Sequence, residues 1–451
     1  MKRNPTAFLR EEYEELVKQH LDWKLYTVSG PNQPWAIVDG RKRLMLGTNN
    51  YLNFANHPKL KKAAIEAIEK YGVGTGSDRE IAGNFDIHIE LEKRLAKFKG
   101  AEASLTFPTG FTVNSGMIPI LVGKGDLIVS DELNHGSIID GVRLSRADKA
   151  IYAHNDMADL ERVLNEAEKQ NPPPRRILIV TDGVFSMDGD IAKLKDIVKL
   201  GQEHGAMIYV DDAHGEGVLG EGRGIVHHFN LSHKEVHVDM GTFSKAFGVI
   251  GGHISGSEDL VKFAYNKART WLLTASQIPP AVAATIAGID LMEKEPEHVQ
   301  RLWDNTRYYK KELVSMGFDI GFSETPIVPI MCGDSKTAKA LAERLLEEDV
   351  FTIPIVYPLV PRGKARVRTQ MCSGFTKEDL NFALDKIEKV GKIEAYDLRE
   401  RKLFRKFGHV WVEEPIRLRK EKRGISKNVE ILSELVSKST KKMADGLITI
   451  S

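Results

Sequence analysis

The chain has 451 residues, 42% hydrophobic and 28% charged, an ordinary globular balance with enough apolar side chains for a large core. Its formal net charge of +1 excludes a global field for nucleic acid or an anionic membrane, and no apolar run approaches the ~18 residues of a membrane-crossing helix. Two cysteines, Cys332 and Cys372, exclude a disulfide framework or a CxxC zinc site, and a charged N-terminus where a signal peptide would be apolar points to the cytoplasm.

In chain order, residues 6–21 space Phe8, Leu9, Tyr13, Leu16 and Leu21 as one face of an amphipathic helix, the start of an N-terminal arm over 1–56. From 57 to 290 short β-branched runs alternate with helical patterns. Strands are predicted at Ala103–Phe107, Leu127–Ser130, Ile177–Thr181, Met207–Val210, Val236–Met240 and Gly252–Ser255. Between them, Leu91, Leu95 and Phe98 share a helix face closed by Gly100, and Leu194, Ile197 and Val198 share another before Gly205. Nearly all-apolar strands alternating with helices imply an α/β domain with a mainly parallel sheet covered on both faces. From 291 to 395 longer helices dominate, one of them capped by Ser335, and a smaller α+β domain is expected. Residues 396–451 carry 14 Lys/Arg against 8 Asp/Glu and form a basic extension with a helical pattern at Val429, Leu432 and Val436.

Chemistry concentrates at strand ends. Lys245 lies in Gly241-Thr-Phe-Ser-Lys245-Ala-Phe-Gly248, just after an apolar run, among small and hydroxyl residues. Most lysines are solvated, but one desolvated there has a lowered pKa and suits Schiff-base formation. Asp211 ends another apolar strand, where a carboxylate needs a partner such as a pyridinium nitrogen; its neighbour Asp212 competes for that role. Together they suit pyridoxal 5'-phosphate (PLP). His214 lies within reach of a cofactor's phenolic oxygen, and a satisfied core histidine is the plainer alternative.

Phe107-Pro-Thr109-Gly110-Phe111 joins a strand to a helix whose first N–H groups can bind a phosphate, and Thr242 adds a hydroxyl. His135 follows the strand Leu127–Ser130, where an imidazole can stack on a planar ring, although a loop histidine taken singly more often has no such role. Arg366 and Arg368 alternate along one strand face, where a guanidinium can grip a carboxylate, unless the strand is merely a surface edge. Gly215-Glu-Gly217-Val-Leu-Gly220 satisfies GxGxxG with Asp239 downstream. Four residues separate that run from its strand and Glu221-Gly-Arg-Gly224 breaks any helix there, so nicotinamide binding is not expected.

The ordered set Asn49-Asn50-Tyr51-Leu52, Gly83-Asn84 with His88, Thr109-Gly110-Phe111, Asn134-His135-Gly136-Ser137, Asp182-Gly-Val-Phe-Ser186-Met-Asp-Gly189, Asp211-Asp-Ala-His214, Thr242-Phe-Ser-Lys245 and Arg366-Val-Arg368 resembles the α-oxoamine synthase family of fold-type I PLP enzymes. The resemblance runs from Leu46 to about 390. It implies a large domain built on a mainly parallel seven-stranded sheet, a smaller C-terminal domain, and a homodimer, or a higher oligomer, with shared active sites. By the same resemblance Lys245 is the Schiff-base lysine and catalytic base, and Asp211 pairs with the ring nitrogen. His214 and Ser186 contact the phenolic oxygen and His135 stacks on the ring. Thr109, Gly110, Phe111 and Thr242 hold the phosphate, and Thr274 reaches the partner subunit's phosphate. Asn50 and Arg368 hold the substrate carboxylate.

Within the family, Ser130-Asp-Glu-Leu-Asn-His135 and Arg368-Thr-Gln-Met371 look most like 2-amino-3-ketobutyrate CoA ligase (glycine C-acetyltransferase). The implied reaction joins glycine and acetyl-CoA without decarboxylation, in threonine catabolism. The alternative is a decarboxylating member, like 8-amino-7-oxononanoate synthase or serine palmitoyltransferase. Phe375, where relatives usually carry histidine, and Asp78, within a Gly/Ser-rich segment, depart from the pattern at the acyl-CoA end.

Overall fold

The computed structural model describes residues 4–398, 403–407 and 410–414. Most of the basic extension, and all of the helix expected at Val429, Leu432 and Val436, lie outside the described residues. By its internal contacts the chain separates into two units, Met1–Ile387 and Glu388–Ser451.

The arm carries α1 (Ala7–Lys18), β1 (Val28–Ser29), β2 (Trp35–Val38) and β3 (Arg41–Met45), followed by α2 (Pro58–Tyr71) and α3 (Asp86–Lys99). Helix α1 forms over most of its predicted span, yet every residue in it is exposed, so its apolar face is not covered by the described residues. Helix α3 ends as expected: Gly100 takes the left-handed conformation, φ 68°, that a side chain would strain.

The large sheet comprises β4 (Ala103–Phe107), β5 (Leu127–Asp131), β6 (Asp148–Tyr152), β7 (Ile177–Asp182), β8 (Met207–Asp211), β9 (Val238–Thr242) and β10 (Gly252–Gly256). Their spatial order is β4-β10-β9-β8-β7-β5-β6, parallel except that β10 runs antiparallel to both neighbours. Helices α4 (Gly110–Leu121), α5 (Gly136–Leu144), α6 (Met157–Glu168) and α7 (Leu194–Glu203) link successive strands from β4 to β8, and α8 (Ile225–His228) lies between β8 and β9. Every residue of β5, β7, β9 and β10 is buried, as sheets covered on both faces require. Strand β6 escapes sequence reading because it is an edge strand whose Asp148 and Lys149 face solvent. Leu105, Val113, Met117, Ile128, Val180 and Tyr209 anchor the core between this sheet and α4.

Helices α9 (Glu258–Lys267), α10 (Arg269–Leu272), α11 (Pro279–Lys294) and α12 (Glu297–Ser315) follow. Then come β11 (Ile327–Gly333), α13 (Ser335–Glu347), β12 (Val350–Phe351), β13 (Ile353–Ile355), β14 (Ala365–Gln370), α14 (Lys377–Leu398), β15 (Leu403–Phe407) and β16 (Val410–Glu414). The cap of α13 is Asp334 rather than Ser335: its carboxylate accepts the Thr337 N–H at 2.8 Å. Strand β14 is the middle strand of an antiparallel β11-β14-β13 sheet, so Arg366 and Arg368 do not lie on a surface edge. Among the described residues no helix is long and apolar enough to cross a membrane.

Candidate active site

Parallel strands present their carboxyl ends on one rim of the sheet, and the chemistry-bearing residues gather there. Strand β8 ends at Asp211, whose buried carboxylate accepts the Asn114 Nδ2–H at 2.6 Å and the Ala213 N–H at 3.0 Å. Asn114, fully buried on α4, also donates to Ser137 Oγ at 2.8 Å and accepts from the Tyr209 hydroxyl at 2.7 Å. The close crossing of α4 and α5 permits this: a Cβ at Gly141 would lie 2.6 Å from the Asn114 carbonyl oxygen.

Asp182 pairs in register with Asp211 on neighbouring β7 and accepts the His135 N–H at 2.7 Å. Burial, and then the Asp211 charge, push its pKa well above the carboxylate range. His135 caps α5, with Nδ1 accepting the Ser137 N–H at 3.2 Å and 2.7 Å from Ser137 Oγ. Because Asn114 already donates to Ser137 Oγ, the hydroxyl proton is free for Nδ1, leaving His135 its Nε2–H. Its pKa is lowered by desolvation and by Lys245, against the pull of Asp211.

Lys245 sits three residues past β9, half-buried, and makes no hydrogen bond or ion pair to any described residue. Desolvation lowers its pKa to about 8 despite the opposing carboxylates Asp211 and Asp182. His214, buried, meets the Tyr51 hydroxyl at 2.8 Å through Nδ1. Desolvation, then Lys245, Arg368 and His135, push its pKa well below the ordinary value, so the ring is neutral. Arg368 projects from the middle strand of the small sheet with its Nε and Nη2 buried and unpartnered, and its Nη1 only 3.4 Å from Asn49 Oδ1. A guanidinium held this way calls for an anion. Arg366, by contrast, is spent on Asp188 and the Met187 carbonyl.

Neither the Gly110 nor the Phe111 N–H at the start of α4 has a partner among the described residues, while Thr109 caps the helix by accepting from Thr112. Thr242 Oγ1 stands beside them: a Cβ on Gly110 would come within 3.1 Å of it. Open donors, a hydroxyl and a glycine that permits close approach make an anion cradle.

Other expected residues lie less centrally. The Asn50 amide is engaged with the Asn32 carbonyl at 3.1 Å and the Ala55 N–H at 3.2 Å, and it is Asn49 that meets Arg368. Ser186 is half-buried in the turn after β7. Thr274 lines a separate small cleft with Arg79, Thr106, Pro108 and Trp271.

Asp212 does not compete with Asp211. It turns into a buried cluster where Lys99 Nζ lies 3.0 Å from Asp239, 3.4 Å from Glu216 and 3.5 Å from Asp212. That cluster also absorbs the GxGxxG run, since Glu216 binds His253 at 2.7 Å and Asp239 meets His233 at 3.2 Å. Sequence reasoning assigned no role to Asn114, Asp182, Ser137, Gln370 or Lys99. Asp182 carried a local signal, an acid closing an apolar strand, while Ser137 and Gln370 stood inside quoted motifs without a role.

This is the fold-type I arrangement of PLP-dependent transferases. The profile for aminotransferase class I and II matches residues 41–387, and the chain belongs to that family, in its α-oxoamine synthase branch. It is 53% identical to the 8-amino-7-oxononanoate synthase of Thermoanaerobacter pseudethanolicus, over 85% of this chain and 97% of that one. It is 48% identical to 8-amino-7-oxononanoate synthase 1 of Bacillus subtilis, over 85% and 97%. A solved serine palmitoyltransferase with PLP as internal aldimine superposes with a TM-score of 0.81 at 30% identity, covering 86% of this chain and 98% of that one. The Sphingomonas wittichii serine palmitoyltransferase gives 0.82 at 30% identity, covering 87% and 100%.

PLP is therefore the cofactor and the enzyme is of the oxoamine synthase type. The expectation of glycine C-acetyltransferase activity in threonine catabolism is overturned, because relatives at about half identity over nearly their whole length are 8-amino-7-oxononanoate synthases. The physical reason is visible in the motifs that suggested it. Asn134 donates to Ser130 Oγ and the Val180 carbonyl, bracing the turn before His135, and Arg368 stands at the anion site. Such residues report on the cofactor and carboxylate grips, not on the acyl chain.

Proposed function

We propose that this chain is a decarboxylating α-oxoamine synthase that makes 8-amino-7-oxononanoate. The carrying observation is the 53% identity extending over 97% of a synthase of that name. The product's structure dictates the substrates. An amine-bearing carbon with a methyl is alanine less its carboxylate, and carbons 1–7 are a pimeloyl group. Alanine and a pimeloyl thioester thus give the amino ketone, carbon dioxide and the free thiol.

The residues present fit PLP. The open Gly110 and Phe111 donors with Thr109 and Thr242 would hold its phosphate, and Asp211 its ring nitrogen. His135 would cover one ring face, His214 and Ser186 would approach the phenolic oxygen, and the unpartnered Lys245 would take the aldehyde carbon. When bound, the cofactor supplies an electron sink for charge left on the amino acid's α-carbon.

The chain's own groups do the rest. Asn114 and the Ala213 N–H hold the Asp211 carboxylate in place, where it would pair with the ring nitrogen. Arg368, with two buried nitrogens free, takes the substrate carboxylate, with Asn49 beside it. Lys245 Nζ, with a pKa near 8, can both accept and return the α-proton close to neutral pH. We further propose a homodimer, with Thr274 serving the partner's site; exposed Phe111, Ile250, Leu273 and Ile278 offer the apolar surface for it.

The test is thiol release by the full chain with alanine, serine or glycine against pimeloyl-, palmitoyl- or acetyl-CoA, with the product weighed by mass spectrometry. Alanine with pimeloyl-CoA should give the highest kcat/KM and the 8-amino-7-oxononanoate mass. Preference for serine with palmitoyl-CoA would refute the reading. Lys245→Ala should leave no label at position 245 after borohydride reduction.

A further inference from the structure

Tyr51 stands in the motif that opens the family pattern and is almost wholly buried. Its hydroxyl meets two partners: His214 Nδ1 at 2.8 Å and Gln370 Nε2 at 2.8 Å. The imidazole crosses its ring edge-on, with centroids 6.1 Å apart and an interplanar angle of 81°. Gln370 ends β14, two residues past Arg368, so this contact joins the small sheet to the loop carrying His214.

The proton inventory of the three groups decides their polarity. A phenol has one hydrogen to give and lone pairs to receive. Gln370 Nε2 can only donate, so the Tyr51 oxygen accepts from it; the buried phenol has no other acceptor among the described residues, so its own hydrogen goes to His214 Nδ1. His214 is neutral among Lys245, Arg368 and His135, so it has a single ring proton. With Nδ1 accepting, that proton must sit on Nε2. Tyr51 keeps its own proton, since burial pushes its pKa up to about 12.

We infer that Tyr51 is a positioning residue which locks His214 in the Nε2–H tautomer, turning the imidazole into a hydrogen-bond donor toward the cofactor's anionic phenolic oxygen. The inference rests on the PLP reading above. Without the phenol, the neutral ring is free to move its proton to Nδ1 and present a lone pair to that oxygen, which repels it.

Two measurements on the full chain test this. The first is the tautomer of His214 in the wild-type protein carrying 15N-histidine, with its signals assigned by their loss in His214→Gln. A protonated Nε2 and a bare Nδ1 are expected; a proton on Nδ1, as a reversed Gln370 amide would impose, overturns the inference. The second compares wild type with Tyr51→Phe by cofactor titration and by the pH midpoint of the bound cofactor's visible band. One lost hydrogen bond to a charged acceptor predicts about tenfold weaker cofactor binding and a midpoint raised by roughly one pH unit. An unchanged affinity and midpoint in a folded Tyr51→Phe overturns it as well. Should that variant fail to fold, the wild-type tautomer alone decides. Wild-type protein that binds no PLP would sink the functional reading itself, a result distinct from either failure.

Discussion

Asn114→Ala puts the greatest strain on the site as described. Asn114 is fully buried and its amide makes three short bonds: to Asp211 at 2.6 Å, Ser137 at 2.8 Å and Tyr209 at 2.7 Å. Removing the donor to an ionised carboxylate costs ~1.5–3 kcal/mol, and leaving the buried Tyr209 hydroxyl without an acceptor costs ~1–3 kcal/mol. With partial overlap of these terms, a destabilisation of ~3–5 kcal/mol is expected. Unfolding entropy of roughly 2.1 cal/mol/K per residue, over the unit ending at Ile387, makes this a fall in Tm of about 4–6 °C. Equilibrium urea unfolding of the cofactor-free protein gives the free energy directly. Cofactor titration should show ~10–100-fold weaker binding, since Asp211 loses the donor that holds its carboxylate in place. A loss below ~1 kcal/mol with unaltered cofactor affinity would refute the argument that this amide organises the acid.

Further outcomes follow from other buried groups. Lys99→Met strands the Asp212, Glu216 and Asp239 carboxylates and should cost ~3–5 kcal/mol in urea unfolding, part of it recovered in Lys99→Met/Asp239→Asn. A cost confined to the surface-pair range of under ~1 kcal/mol would show that the cluster carries little. His154 is clamped between Asp131 at 3.0 Å and Asp190 at 2.8 Å, and these partners outweigh desolvation, pushing its pKa up to about 10. Its folded pKa is above the unfolded one, so its contribution is full below about pH 6.5 and is lost as pH rises toward 10. The stability gap between wild type and His154→Gln should therefore narrow across that window, and a gap that widens with pH would contradict the assignment. Arg368→Ala should raise the amino-acid KM ~100-fold while cofactor binding persists, equivalent to two charge-assisted hydrogen bonds. Unchanged turnover at low alanine would count against it.

Much of the site was legible because local order encodes it. An apolar run ending in Asp211 is a buried strand with an acid at its tip, and that reading needs no knowledge of neighbours. The same holds for Lys245 and for the strand-to-helix turn at Gly110. Edge strand β6 was lost because solvent-facing Asp148 and Lys149 erase the apolar signal. Substrate preference was misread because the motifs consulted brace the cofactor cradle, which members with different acyl chains share.

The linear chain alone indicated the α/β alternation from short-range patterns of burial and turn chemistry, singled out Lys245 and Asp211, and carried the ordered motifs that pointed to the family. Tertiary structure alone decided which of two adjacent acids faces the site. Asp211 finds Asn114 on α4, whereas Asp212, one pleat over, points to the opposite side and meets Lys99 from α3. It likewise decided that Arg368, and not Arg366, keeps its donors free, and that Tyr51 meets His214 across 163 positions of sequence. Such choices depend on partners remote in sequence, and only the packing of strands and helices brings those groups within hydrogen-bonding range.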